Sequence, residues 1–339
     1  MSLLPAVFKP SKDQIIPATK TLEAITAGLL KDGGNLYRKF LQLQLPTAAD
    51  AYRQDDSVLR THLGASQIGK ECSRELWYGF RWAVDPKSRR EWHDGPHQVP
   101  ICFACQKRAA DMVRLLNRGH LEEPRVVALL LMIGCTIYQF DEKGKQFKVS
   151  IFDGHFGGSC DGVQVGIPDL PVGTPSLVEI KTSNDKNFDK LAKSGVKVVK
   201  PEHFYQMQTY MGGLNLTVAI YIAVNKNDDE IWAELVYFDQ EVYAAIQAKA
   251  KTIVYLNMPP SKISNNPSWH KCAFCEAKHL CHKTLDATGK VPEPVRNCRT
   301  CIFSKPVADS LWLCGQTDTT LNKDQQIAGC GKYTRIGGM

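Results

Sequence analysis

Along this chain the spacing of hydrophobic and polar positions changes period several times, and each change marks an element. Helical spacing appears in Thr21-Leu22-Glu23-Ala24-Ile25 and Leu36-Tyr37-Arg38-Lys39-Phe40, between Pro and Gly breaks, and again in the apolar run Val126 to Ile133. Strand patterning follows near 147–152, 156–166 and 176–182, then a helix near 201–213 behind Pro201. Two more strands, Val218 to Val224 and Ile231 to Tyr237, precede a helix from about 240. This order predicts an α/β fold, a mixed central sheet with helices on both sides. The stretch Thr284 to Pro294 is rich in turn formers and reads as a linker.

One strand breaks its own pattern. Ser176-Leu177-Val178-Glu179-Ile180-Lys181 reads as buried, yet Glu179 and Lys181 leave the same face of the pleat. A buried charge without a partner costs several kcal/mol, on the order of an ion's desolvation penalty. A divalent cation would supply that partner; an edge-strand ion pair is the alternative. Upstream, Gly157-Gly158-Ser159-Cys160-Asp161-Gly162 lets the chain bend at an acidic residue before Val163-Gln164-Val165 alternates, so Asp161 and Glu179 are expected to meet across adjacent strands.

Two further patterns complete the order. In Gly119-His120-Leu121-Glu122-Glu123-Pro124, at the head of the Val126 helix, His120 and Glu123 stand one turn apart. In Gln206-Met207-Gln208-Thr209-Tyr210, Gln206 and Tyr210 stand at i and i+4. Histidine, aspartate, Glu-x-Lys and Gln-x-x-x-Tyr, in that order, make the chain resemble the RecB-like branch of the PD-(D/E)XK nucleases, with a restriction-endonuclease-like core. The resemblance implies that His120, Asp161 and Glu179 ligate a catalytic metal, with the Ile180 carbonyl a further ligand and Glu123, or Glu122, an additional carboxylate. It implies that Lys181 positions and activates the attacking water, and that Gln206 and Tyr210 hold the substrate strand or the Glu-x-Lys strand. Hard carboxylate oxygens suit Mg2+ or Mn2+, and an imidazole tilts the choice toward Mn2+.

Twelve cysteines without a secretory leader point to thiolate metal sites rather than disulfides. Cys72 precedes the core, and Cys272, Cys275 and Cys281 follow it. That layout is similar to the iron–sulfur subgroup of RecB-like nucleases, which includes CRISPR-adaptation exonucleases, and implies a [4Fe-4S] cluster clasping the two ends of the domain. His270, His279 and His282 leave open a local Cys/His zinc site without Cys72. Cys298, Cys301, Cys314 and Cys330, with Ile302, Phe303 and Trp312 to cover them, fit a small tetrathiolate Zn2+ module. Cys102 with Cys105, Cys135 and Cys160 read as packing rather than ligands.

The expected organisation is a helical region over 1–60, a nuclease domain over 61–285 and a zinc-binding module over 295–335, a chain ending near Thr288 being expected to fold. A formal charge of +7 is compatible with a polyanionic partner without requiring one. Arg74, Trp77, Tyr78, Arg81 and Trp82, followed by Lys87, Arg89 and Arg90, interleave cations and aromatics as a single-strand-binding face would, burial of Trp77 and Phe80 being the alternative. Lys226, in the turn between the last two strands, faces either DNA or solvent. The longest apolar run is too short to cross a bilayer, so a cytoplasmic protein without a membrane partner is expected. The resemblance implies an exonuclease that processes DNA ends, with single-stranded DNA as one substrate, in recombination, repair or phage DNA metabolism alongside recombination or replication proteins. The alternatives are a non-catalytic nucleic-acid-binding or assembly protein on the same fold and a structure-selective endonuclease.

Overall fold

The computed structural model describes residues 14–44, 59–84, 103–286 and 289–339. In chain order the elements are α1 Thr19–Asp32, α2 Asn35–Gln44, β1 Leu63–Gly64, α3 Ser73–Phe80, α4 Phe103–Met132, β2 Thr136–Tyr138, β3 Lys148–Ile151, β4 Phe156–Ser159, β5 Gly162–Val165 and β6 Pro175–Ser183. They continue as α5 Asp185–Val199, α6 Pro201–Leu214, β7 Val218–Asn225, β8 Ile231–Tyr237, α7 Gln240–Tyr255, α8 His270–Ala273, α9 Lys278–His282, β9 Ser304–Pro306, β10 Trp312–Cys314, β11 Thr319–Leu321 and α10 Lys323–Ala328. Two compact units share them: Met1–Tyr52, Arg118–Val149 and Ser159–Val242 make the first, and Arg53–Asn117, Ser150–Gly158 and Tyr243–Met339 the second.

The first unit is built on a five-stranded mixed sheet in the order β2-β5-β6-β7-β8. Only β6 and β7 run parallel; the other neighbours are antiparallel. Because side chains alternate along a strand, the two faces differ in chemistry. Val178 and Ile180 of β6, Val218, Ile220, Ile222 and Val224 of β7, and Ala233 and Leu235 of β8 join Val126, Val127 and Leu130 of α4 in one apolar cluster. Each fully buried aliphatic side chain there contributes about 1.5–3 kcal/mol relative to exposure. The opposite face carries Leu177, Glu179 and Lys181 beside Ala219, Tyr221 and Ala223. Helix α6 packs on β6, and α5 on β7 and β8. Residues 16–18 extend the sheet, the Ala18 amide donating to Ala233 O at 2.9 Å and Leu235 N–H to Ile16 O at 2.8 Å.

Two elements differ from the sequence expectation. Helix α4 does not begin near His120 but runs through it, with Pro124 inside. Proline removes one hydrogen bond from a helix interior, which is why Gly119 to Pro124 reads as a start. The segment between β6 and Pro201 forms α5, started by Asn184, whose side chain accepts from the Asn187 amide at 3.1 Å. Its helical path is interrupted at Gly195, at φ 70 and ψ 165, and the next amide, of Val196, donates to the buried Glu234 carboxylate at 2.9 Å.

In the second unit β1 pairs parallel with β4, and β9, β10 and β11 form an antiparallel sheet. Its core holds two fully buried arginines. Arg81 donates to Arg299 O and Leu256 O at 3.2 and 2.9 Å, while Arg299 donates to Phe80 O and Thr61 O, each at 3.0 Å, and to Gln326 Oε1 at 2.8 Å. Both guanidiniums lie over the ring of Trp312, and Arg299 also over Trp82. Burial lowers Arg81 to about 9 and Arg299 to about 8. Residues 295–335 are thus packed into the same unit as α3. No helix among the described residues is long and apolar enough to cross a membrane.

Candidate active site

Strand β6 lies at the centre of the first sheet and presents Glu179 with no solvent exposure. Among the described residues, no donor beyond the Lys181 ammonium reaches either Glu179 carboxylate oxygen. That half-buried ammonium forms an ion pair two residues along the same face, and the Asp161 carboxylate lies within electrostatic range. Register places Gly162 of β5 opposite Val178, which brings Asp161 beside Glu179. The Asp161 Oδ2 accepts from the Ile180 amide at 2.8 Å, fixing the carboxylate against β6. Gly162 sits at φ 157, with its Cα close to Tyr138 O: an added Cβ would lie 3.1 Å from that oxygen. The bend that aims Asp161 therefore depends on glycine.

Charge states follow from this packing. Burial raises the Glu179 carboxyl above its ordinary range, and Lys181 opposes that shift while Asp161 adds to it. Burial alone would lower the Lys181 ammonium, but Glu179 and Asp161 hold it well above its usual value. Helix α6 closes the face with buried Gln206 and Tyr210, which hydrogen-bond to one another; burial and the Glu179 and Asp161 charges push the Tyr210 phenol up. Cys160, buried next to Asp161, is raised to about 12, chiefly by burial and then by the two carboxylates.

His120 lies on α4 beside Glu123. It is half exposed on α4, with Nδ1 3.8 Å from Glu123 Oε1. Glu122 is buried and paired with Arg125 at 3.0 Å. The last turns of α4 pack on the Val178 and Ile180 face, not on the Glu179 face. Among the described residues, no three His, Cys, Asp or Glu side chains are gathered closely enough to grip an ion. The structure brings Asp161, Glu179, Lys181, Gln206 and Tyr210 together, and it pairs His120 with Glu123 on α4.

Sequence reasoning passed over His203 and Tyr221. Tyr221 is the register partner of Glu179 on β7, and its hydroxyl lies 2.9 Å from His203 Nδ1. Burial, with Lys181 and Lys200, lowers His203 to about 3, so the ring is neutral. The available signal was position: His203 precedes Gln206 by three residues and so shares its helix face.

The eight quartet cysteines are free thiols in the second unit. Cys72, at the N-terminus of α3, and Cys272, Cys275 and Cys281, around α8 and α9, line one small pocket with Glu75, Tyr78 and Lys262. Burial raises Cys275 to about 12, Glu75 adding to it, and Cys72 and Cys281 are near enough to raise it further. Cys298 is raised to about 11 by burial and then by Cys330, Cys301 and Cys314. Each set places four soft donors in the second unit, though no three of them among the described residues are gathered closely enough to grip an ion. Cys102 lies outside the described residues, as do Lys87, Arg89, Arg90 and the Cys105 side chain.

The aromatic and cationic run of α3 is core, not a nucleic-acid face. Trp77 is fully buried with Nε1 donating to Leu256 O at 2.8 Å, and Arg81 is buried against Trp77 and Trp312. Arg74 is spent on Pro260 O and Gly338 O, at 2.7 and 2.8 Å. Helical spacing of aromatics is the ordinary mark of a packed face, and that rule wins here.

No family model and no curated protein sequence matches the chain. Among solved structures, similarity is found to an alkaline exonuclease from Laribacter hongkongensis at 18% identity, over 57% of this chain and 86% of that one, with a TM-score of 0.35. The same exonuclease in complex with dAMP gives 20% identity, 56% and 88% coverage and a TM-score of 0.32. A third, SSO0001, gives 15% identity, 73% and 97% coverage and a TM-score of 0.35.

Proposed function

We propose that this protein is a divalent-metal-dependent DNA nuclease acting at DNA ends. The observation that carries the reading is the Glu179 carboxylate, fully buried, paired with Lys181 and crowded by the Asp161 carboxylate. Two carboxylates crowded about one ammonium in a buried site are expensive unless a second cation completes the set. Asp161 and Glu179 supply hard oxygens for Mg2+ or Mn2+, with the Ile180 carbonyl adjacent. When bound, such an ion polarises a phosphoryl oxygen and lowers the pKa of water.

The chain's own groups do the rest. Lys181, kept protonated, is a donor: it orients the attacking water and offsets charge developing on the phosphate. Gln206 and Tyr210, locked to each other, hold the Glu179 face of β6 in place. Tyr221 and neutral His203 border the same face. His120 and Glu123 would add an imidazole and a carboxylate to the groups that hold the ion. In the second unit, Cys72, Cys272, Cys275 and Cys281 would hold an iron–sulfur cluster, and Cys298, Cys301, Cys314 and Cys330 a structural zinc; both are stability devices rather than parts of the chemistry.

The test is incubation of pure protein and Mn2+ with linear and circular single-stranded DNA. Loss of the linear form alone, abolished by chelator, is expected. Equal loss of both forms would replace end-dependent action with internal cutting, and no loss of any DNA substrate, single- or double-stranded, would overturn the nuclease reading.

A further inference from the structure

A second concentration of charge in the first unit takes no part in this chemistry. Arg118 of α4 donates from Nη2 to the carbonyl of Lys226 at 2.8 Å. Lys226 lies in the turn after β7, and its amide donates to Ser183 O at 2.8 Å, two residues beyond Lys181. The turn is braced by Asn225 and Asn227, whose amides donate to the two oxygens of Asp185 at 2.9 and 2.8 Å. On the other side, Lys200 stands one turn before His203, which reaches Tyr221, the register partner of Glu179. Strands β6 and β7 are parallel, so their C-terminal ends lie on one edge, where open α/β sheets receive ligands.

Of the three cations, Arg118 lies within electrostatic range of an acid, Glu122. Among the described residues, no ion pair engages Lys200 or Lys226. The acids nearby are committed: Glu122 to Arg125 at 3.0 Å, Asp229 toward Arg125 at 3.6 Å, Asp228 to the Glu230 amide at 3.0 Å, and Asp185 to the two asparagines. Burial, then Arg118 and Lys200, lower the Lys226 ammonium. Lys200 also helps keep His203 uncharged. Like charges from three elements held in mutual range are unfavourable until an anion joins them.

Resting on the nuclease reading, we propose that Arg118, Lys200 and Lys226 form a seat for internal phosphodiester groups of the substrate strand as it leaves the Glu179 and Lys181 face. Arginine supplies a fork and the lysines point charges, a combination that tracks a backbone without reading its bases. His203, neutral and one turn from Lys200, bridges the seat to the reacting face as a hydrogen-bonding group.

The experiment measures binding of the full chain, in chelator, to a fluorescent single-stranded oligonucleotide without terminal phosphates, across a salt series. Arg118→Gln/Lys200→Gln/Lys226→Gln should weaken binding roughly 10- to 100-fold near physiological salt and flatten the slope of log affinity against log salt by about 2, the value for three lost single-strand phosphate contacts. Lys200→Arg/Lys226→Arg should keep both quantities, and so should a control at exposed lysines elsewhere, Lys143→Gln/Lys145→Gln/Lys148→Gln. A folded triple variant with wild-type affinity and slope would overturn the seat while leaving the nuclease reading intact. Wild-type protein that neither binds nor cleaves DNA would overturn the nuclease reading itself, and the seat with it.

Discussion

Glu179 and Lys181 form the pair on which the account turns. Removing the lysine leaves a carboxyl buried without a counter-charge, a change that ordinarily costs about 3–5 kcal/mol. Glu179 can escape part of that cost by taking a proton, because burial already raises it. A carboxyl raised above its unfolded value contributes stability fully below the unfolded value and loses it as pH rises through the folded one. Lys181→Ala should therefore melt lower at pH 8 than at pH 6, by a larger margin than wild type. Thermal unfolding at the two pH values checks this, and Glu179→Gln/Lys181→Ala, with no carboxyl to titrate, should abolish the difference. Much of this site was legible in sequence, because Glu179 and Lys181 violate an apolar strand and Asp161 sits at a glycine-rich bend. His203 and Tyr221 were not legible: a histidine on a helix and a tyrosine in a buried strand fit ordinary packing, and only the register between β6 and β7 brings them to the glutamate.

At the scale of elements, strands proved more readable than helices. Beginning with β6, alternation and apolar runs marked β6, β7 and β8 within a residue or two, since a strand buried on both faces excludes polar residues except where chemistry demands them. Helix α5 escaped notice because its sequence is lysine-rich and holds a glycine, and its reason for existing is tertiary: Phe188, Leu191 and Val196 are buried. Gly195 is the joint. Its backbone angles belong almost only to glycine, and an added Cβ would lie 3.1 Å from Ile15 Cγ1 and 3.4 Å from Glu234 Oε1. Gly195→Ala should destabilise by about 1–3 kcal/mol. Chemical denaturation of the two proteins measures it; an unchanged midpoint would mean that α5 can straighten and that the Val196 contact with Glu234 is dispensable.

Over the whole molecule, the cysteine-rich C-terminal stretch belongs energetically to its own unit's core. Trp312 and Arg299 are fully buried there, Phe80 lies 5.7 Å from the Trp312 ring, and Asn297 donates to Trp82 O at 2.9 Å. Sequence suggested a separate module because metal-type spacing implies closure around an ion, whereas the arginine and tryptophan stack has no sequence signature. A chain ending at Thr288 would lose that cover, and removal of one buried Trp alone costs about 3–5 kcal/mol. Limited proteolysis should show rapid cleavage within 59–84 in the shortened chain and protection in the full one; equal protection would make the stretch dispensable. The central claim, that Asp161, Glu179 and Lys181 form a phosphodiester-hydrolysing centre, is tested most directly by the Mn2+-dependent cleavage rate of linear DNA by wild type, Glu179→Gln and Lys181→Ala at matched folded concentration. The account expects each variant to lose at least about 10³-fold, several kcal/mol of barrier, while still binding DNA in chelator. A Lys181→Ala or Glu179→Gln protein that turns over like wild type would contradict it.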